Sequence, residues 1–129
     1  MNNINLVTKC FITDDAGRVL ILKRSDTARI RPGKWDLPGG IVEHKEDPNT
    51  AVLREIKEET SIDINTATII HASTEVSPAY ILTLFYSTKY YGDATAISHE
   101  HSSFEWINFD DFYNLDLPDK FKVAAKCLL

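Results

Sequence analysis

The stretch from Gly40 to Ile62 constrains this chain most. A glycine turn comes first, then a helix start, then three acidic residues, Glu55, Glu58 and Glu59, within five positions. Asp47 is placed to cap the helix, because its side-chain oxygen accepts from an amide that has no partner in the first turn. Pro48 suits the first helical position, where no amide hydrogen is needed. Ala51 to Thr60 contain no helix breaker. On an ideal helix with Ala51 at zero, Glu58 falls at about −20°, Glu55 at about 40° and Glu59 at about 80°. The three carboxylates therefore share one arc, with the small Ala51 inside it. Val52, Leu53, Ile56 and Thr60 form the adjoining arc, which packs on a sheet.

Like charges at this spacing destabilise a helix, and a solvated acidic face is the plain reading. Two features point to a site instead. Pro38-Gly39-Gly40 makes a turn through which backbone approaches closely. Arg54 stands one turn before Glu58, where it pairs with and orients a carboxylate. Concentrated oxygen ligands on a rigid element suit a hard divalent cation such as Mg²⁺.

These residues resemble a known signature. The spacing Gly40-x5-Glu46-x7-Arg54-Glu55-Ile56-x-Glu58-Glu59-x-Ser61-Ile62 is similar to the Nudix box of the Nudix hydrolases, with serine at position 61 where the family usually has glycine. That position ends the helix, where a left-handed conformation is common. Serine there costs on the order of 1 kcal/mol and removes no ligand. Trp35-x-Leu37-Pro38-Gly39-Gly40 is typical of the family's approach to its catalytic helix, and weaker resemblance extends over the remaining chain.

The resemblance implies an α/β/α sandwich with a mixed, partly barrel-like sheet, formed by residues 1–129 as one domain. It implies a pyrophosphohydrolase in which Glu55, Glu58, Glu59 and the Gly39 carbonyl hold Mg²⁺, with Mn²⁺ as a substitute. Arg54 orients a glutamate. Glu55 or Glu100 takes the proton of the attacking water, and the family differs on which. Arg24, Lys34 and Trp35 are candidate substrate contacts, the first two for phosphate and the third for stacking on a base. For each an ordinary role stands beside this one: a solvated strand end, an exposed lysine and a core anchor.

Of 129 residues, 43% are hydrophobic and 26% charged, ordinary values for one soluble domain with a real core. The net charge of −5 argues against non-specific nucleic-acid binding. It leaves phosphate substrates open, since bound cations bridge carboxylate and phosphate. No apolar run reaches membrane-spanning length, and the first residues lack the basic and apolar regions of a signal peptide. A cytoplasmic protein with reduced Cys10 and Cys127 is expected, Cys10 as core filler. Oligomeric state is not readable, although a homodimer is common in the family.

Leu6–Thr13 and Arg18–Lys23 read as strands forming a hairpin across Asp14-Asp15-Ala16-Gly17. Residues 62–76 suggest a strand or two with imperfect register, broken at Ser77-Pro78. Tyr80–Tyr91 reads as a central strand apolar on both faces. Gly92–Ser103 reads as a loop; its His99-Glu100-His101 cluster has poor spacing for zinc. Phe104-Glu105-Trp106 continues as a strand. Residues 110–115 read as a short helix, and 119–129 as an amphipathic helix with Phe121, Ala124, Ala125 and Leu128 inward.

The substrate expected is a nucleoside diphosphate joined to another group, with a MutT-like nucleoside triphosphate pyrophosphatase first. ADP-ribose or sugar-nucleotide and dinucleoside polyphosphate pyrophosphatases are alternatives, because Pro78 and Tyr80 stand where some such enzymes carry proline and tyrosine. A non-catalytic, nucleotide-sensing Nudix domain is the alternative of another class, disfavoured by the retained carboxylates.

Overall fold

The computed structural model describes residues 3–92 and 101–128. Its strands are β1 (Asn5–Thr13), β2 (Val19–Arg24), β3 (Trp35–Asp36), β4 (Gly39–Ile41), β5 (Thr68–Glu75), β6 (Ile81–Lys89) and β7 (His101–Ile107). The helices are α1 (Pro48–Thr60), α2 (Phe109–Asn114) and α3 (Asp119–Ala125), the last running into a 3-10 turn, Lys126–Leu128.

The sheet is mixed and open. β1 and β6 run parallel over nine paired positions, from Asn5–Ile81 to Thr13–Lys89, and β5 lies antiparallel on the far side of β6. The other edge of β1 forks. It meets β2 only at Thr13–Val19, and nearer its start it pairs instead with β4, from Val7–Ile41 to Lys9–Gly39. β2 in turn takes β3 on that side, at Leu22–Asp36 and Lys23–Trp35, and β7 on the other. The expected hairpin is therefore a single contact at the turn, because β3 and β4 occupy the edges that a longer hairpin would use.

Alternation along β1 and β6 feeds two cores, as expected for buried strands. Cys10, Ile12, Leu20, Leu22 and Tyr86 pack with Val52, Ile56 and Ile62 on the α1 side. Phe11, Val19, Ile21, Leu37 and Phe85 pack with Phe112, Phe121 and Ala124 on the α3 side. Cys10 is fully buried and its thiol pKa is pushed up by burial, in keeping with a filler role.

Other boundaries moved. Tyr80 lies outside its strand and is exposed, and β5 is one strand with a register shift between Ile69 and His71. β7 already begins at His101, inside the segment read as loop. The last helix turns 3-10 at Lys126, and its Lys120 reaches Glu75 and Thr83. Among the described residues no helix is long and apolar enough to cross a membrane.

Candidate active site

Local chemistry sets α1 where the spacing placed it. The Asp47 side chain accepts from the Asn49 amide at 2.7 Å, and Pro48 opens the helix. Ser61 closes it in the left-handed region, with φ 62° and its amide donating to the Lys57 carbonyl at 3.0 Å. Burying Val52, Ile56 and Thr60 against the sheet turns the acidic arc toward β4.

There the helix meets the turn that precedes it. The Gly39 amide donates to Glu59 Oε1 at 2.8 Å, and Glu59 is only 7% exposed. Gly39 has φ 146°, and a Cβ there would overlap the Thr8 carbonyl. Glycine is required on both counts. A Cβ on Gly40 would lie 2.6 Å from the Glu55 carboxyl carbon. The missing side chain is the space that this carboxylate occupies.

Arg54 ties the acidic residues together. Its Nε and Nη2 grip both oxygens of Glu46, at 2.7 and 3.0 Å, in the forked geometry that guanidinium favours. Nη1 donates to Glu55 Oε1 at 2.9 Å and makes longer contacts with Glu58, at 3.3 and 3.4 Å. The Arg54 fork, helped by the Glu43 amide, holds the Glu46 carboxyl down at about 2, and the same contacts raise Arg54 itself.

Glu59 moves the other way. Burial pushes its pKa up to about 8; the Lys9 charge and the Gly39 amide oppose this, while Glu55 and Asp36 reinforce it. His101 Nε2 stands 3.9 Å from Glu59 Oε2, beyond hydrogen-bond distance and an ion pair only when the ring is protonated.

Glu55, Glu58 and Glu59 do not form a ready-made cage. Among the described residues no three acidic, histidine or cysteine side chains converge as metal ligands. Each carboxylate takes a protein donor instead: Glu58 and Glu55 lean to Arg54, and Glu59 to Gly39. The nearness of those donors sets the direction each side chain takes. The donor set still fits a hard dication. It offers only oxygen, Glu55 and Glu59 flank the Gly39-Gly40 backbone, and the Glu58 side chain, 57% exposed, is held by the longest of these contacts.

The remaining expected contacts divide. Arg24 Nη1 pairs with Asp36 at 3.2 Å, and its Nε donates to the Ile30 carbonyl at 2.6 Å. Lys34 reaches Asp116 at 3.0 Å, both side chains being exposed. Trp35 packs against the α3-side core with the Lys23 ammonium over its ring. Glu100 and His99 lie outside the described residues. Sequence reasoning passed over Lys9 and Asp36, which make an ion pair at 3.0 Å beside this turn. A lysine interrupting an apolar strand was the available signal. A cavity of about 620 Å³, lined by Thr13, Phe109, Tyr113 and Leu128 among others, shares no residue with the site.

The fold is a mixed open sheet between helices, with a carboxylate-rich helix closing on a Gly-Gly turn. Residues 5–128 match the NUDIX domain model. The chain belongs to the Nudix hydrolase family. It is 31% identical over 102 residues to a MutT-like protein of Streptomyces ambofaciens, covering 78% of this chain and 61% of that protein's length. It is 28% identical over 122 residues to the nucleoside triphosphatase NudI of an Escherichia coli O139:H28 strain, covering 84% and 85%. The fold matches the crystal structure of a MutT protein from Methanosarcina mazei Go1 with TM-score 0.85 and 27% identity, covering 95% and 91%.

Proposed function

We propose that this chain hydrolyses a phosphoanhydride bond in a nucleoside diphosphate joined to a further group, with a divalent cation, Mg²⁺ before Mn²⁺. A nucleoside triphosphate split to monophosphate and pyrophosphate is the reaction the family resemblance favours. The observation that carries the reading is the closure of α1 on its own approach turn: Glu59 bonded to the Gly39 amide at 2.8 Å, with Glu55 seated over Gly40.

Glu55, Glu58, Glu59 and the Gly39 carbonyl would hold the cation, Glu58 by turning from Arg54. A bound dication supplies charge neutralisation for the diphosphate and acidifies a water. The protein's own groups do the rest. Glu55, or Glu100 in the sequence before β7, accepts the proton as the water oxygen bonds to phosphorus. The phosphorus–bridging oxygen bond breaks, and its electron pair stays on that oxygen as the monophosphate or pyrophosphate departs. Arg54 keeps Glu55 oriented through its Nη1 bond. Lys34 brings positive charge to the approach side, already engaged with Asp116. Trp35 offers a ring to a base.

Nucleotide and phosphate release is the test, run on nucleoside triphosphates, ADP-ribose, nucleotide sugars and diadenosine polyphosphates with and without Mg²⁺. Metal-dependent release of pyrophosphate from a triphosphate is expected. Tight nucleotide binding with no turnover on any of them would overturn this reading in favour of a sensing domain.

A further inference from the structure

We propose that Asp36, held between Lys9 and Arg24, is a positioning residue: the triad braces the fork of the sheet and so keeps the Gly39 amide on Glu59. The proposal rests on the hydrolase reading for its kinetic consequence and on geometry for the rest.

β1 and β2 separate after their one contact at Thr13–Val19. Lys9 lies on β1 and Arg24 at the end of β2, where a register shift against β7 follows Lys23. Asp36 lies on β3 between them and is 4% exposed. It pairs with Lys9 at 3.0 Å and Arg24 at 3.2 Å, and its Oδ1 also accepts from the Leu37 amide at 2.8 Å. Lys9 Nζ donates in addition to the Leu37 carbonyl at 3.4 Å, and the Cys10 amide to the Pro38 carbonyl at 2.8 Å. The next residue is Gly39, whose amide is on Glu59. Three strands are thus tied to the two residues that lead into the site.

One acid held by two cations in a nearly closed place is poor value for stability alone, because desolvation offsets the attraction. What it supplies is direction: each partner comes from a different strand, and together they leave the Leu37-Pro38 turn one geometry. Burial tends to raise the Asp36 carboxyl, yet Lys9, the Leu37 amide and Arg24 bring it below the usual range, so it stays charged. Arg24 then acts through Asp36 rather than on a phosphate.

The test reads the amide and the kinetics separately, in Asp36→Asn and in Arg24→Gln. Arg24 lies nearer the surface, so its variant carries the test should Asp36→Asn not fold. Hydrogen exchange at the Gly39 amide, followed by NMR without metal or nucleotide, should quicken about ten-fold or more while amides of mid-α1 hold. With Mg²⁺ and the best substrate of the panel, kcat should fall about ten-fold or more with KM within about two-fold. Unchanged Gly39 exchange, or a raised KM with kcat kept in Arg24→Gln, overturns the proposal; the second result would mark Arg24 as a phosphate contact. Quickened exchange in a protein whose wild type turns over nothing keeps the brace and removes the hydrolase reading.

Discussion

Glu59 Oε1 accepts the Gly39 amide at 2.8 Å, so a carboxylate in the last turn of α1 closes on the turn that introduces the helix. That bond joins two ends of one motif and buries an acid that a solvated acidic face would leave in water.

Removing the charge of either terminal glutamate tests the ligand role. Glu58→Gln and Glu59→Gln should each lower kcat by about 10²–10⁴-fold with the fold kept, the scale of losing a charge-stabilising group. Steady-state kinetics with Mg²⁺ and circular dichroism check both halves. Wild-type turnover in both variants would refute the assignment.

The two glycines should fail differently. Gly39→Ala puts a Cβ into the Thr8 carbonyl at a φ that alanine avoids, so soluble folded protein should drop sharply. Gly40→Ala adds a Cβ whose three nearest atoms all belong to the end of the Glu55 side chain, which swings away. It should fold, with activity down by about 10²-fold from the displaced carboxylate. Thermal melts and kinetics on the pair separate the outcomes.

Metal-free stability should depend on pH through Glu59. In the folded protein its proton is held up to about pH 8, whereas the unfolded chain releases it near 4.5. Between those values the folded state binds the extra proton, so stability falls as pH rises through that window and levels off above it. The lowered Glu46 and Asp36 act below it. Melts in EDTA from pH 5 to 8 should therefore slope downward more for wild type than for Glu59→Gln. Parallel slopes would refute a buried, protonated Glu59.

Arg54→Lys should not be tolerated as a conservative change. Lysine keeps the charge but loses the fork that spans Glu46 and Glu55. A fall in kcat of about ten-fold or more is expected, with a weaker Mg²⁺ requirement curve shifted to higher concentration. Metal titration of activity reads both.

Ser61→Gly should stabilise without altering turnover. Ser61 holds φ 62°, which costs a residue with a Cβ on the order of 1 kcal/mol. A rise of about 3–5 °C in Tm at unchanged kcat is the expected result. An unaltered melt would place the strain elsewhere.

Local rules carried α1. The Asp47 cap, Pro48 at the first position and the left-handed end at Ser61 all depend on neighbours within a turn, and all appear as read. The same holds for β6, whose double-sided apolar pattern requires cover on both faces. Glu100, proposed beside Glu55 as the base, falls outside the described residues.

Other features come from contacts remote in sequence. A hairpin was the shortest solution for β1 and β2, yet β3 and β4 take their edges, because backbone pairing depends on which strands arrive together. Periodicity put Glu55, Glu58 and Glu59 on one arc, since helical angle follows from spacing alone. It could not say that Glu58 would lean to Arg54 while Glu59 went under the Gly39 amide. Nor could it pair Lys9 with Asp36, 27 residues apart. A side chain's partner is chosen by the charges that folding brings within a few ångströms, and that distance is written nowhere in the linear order.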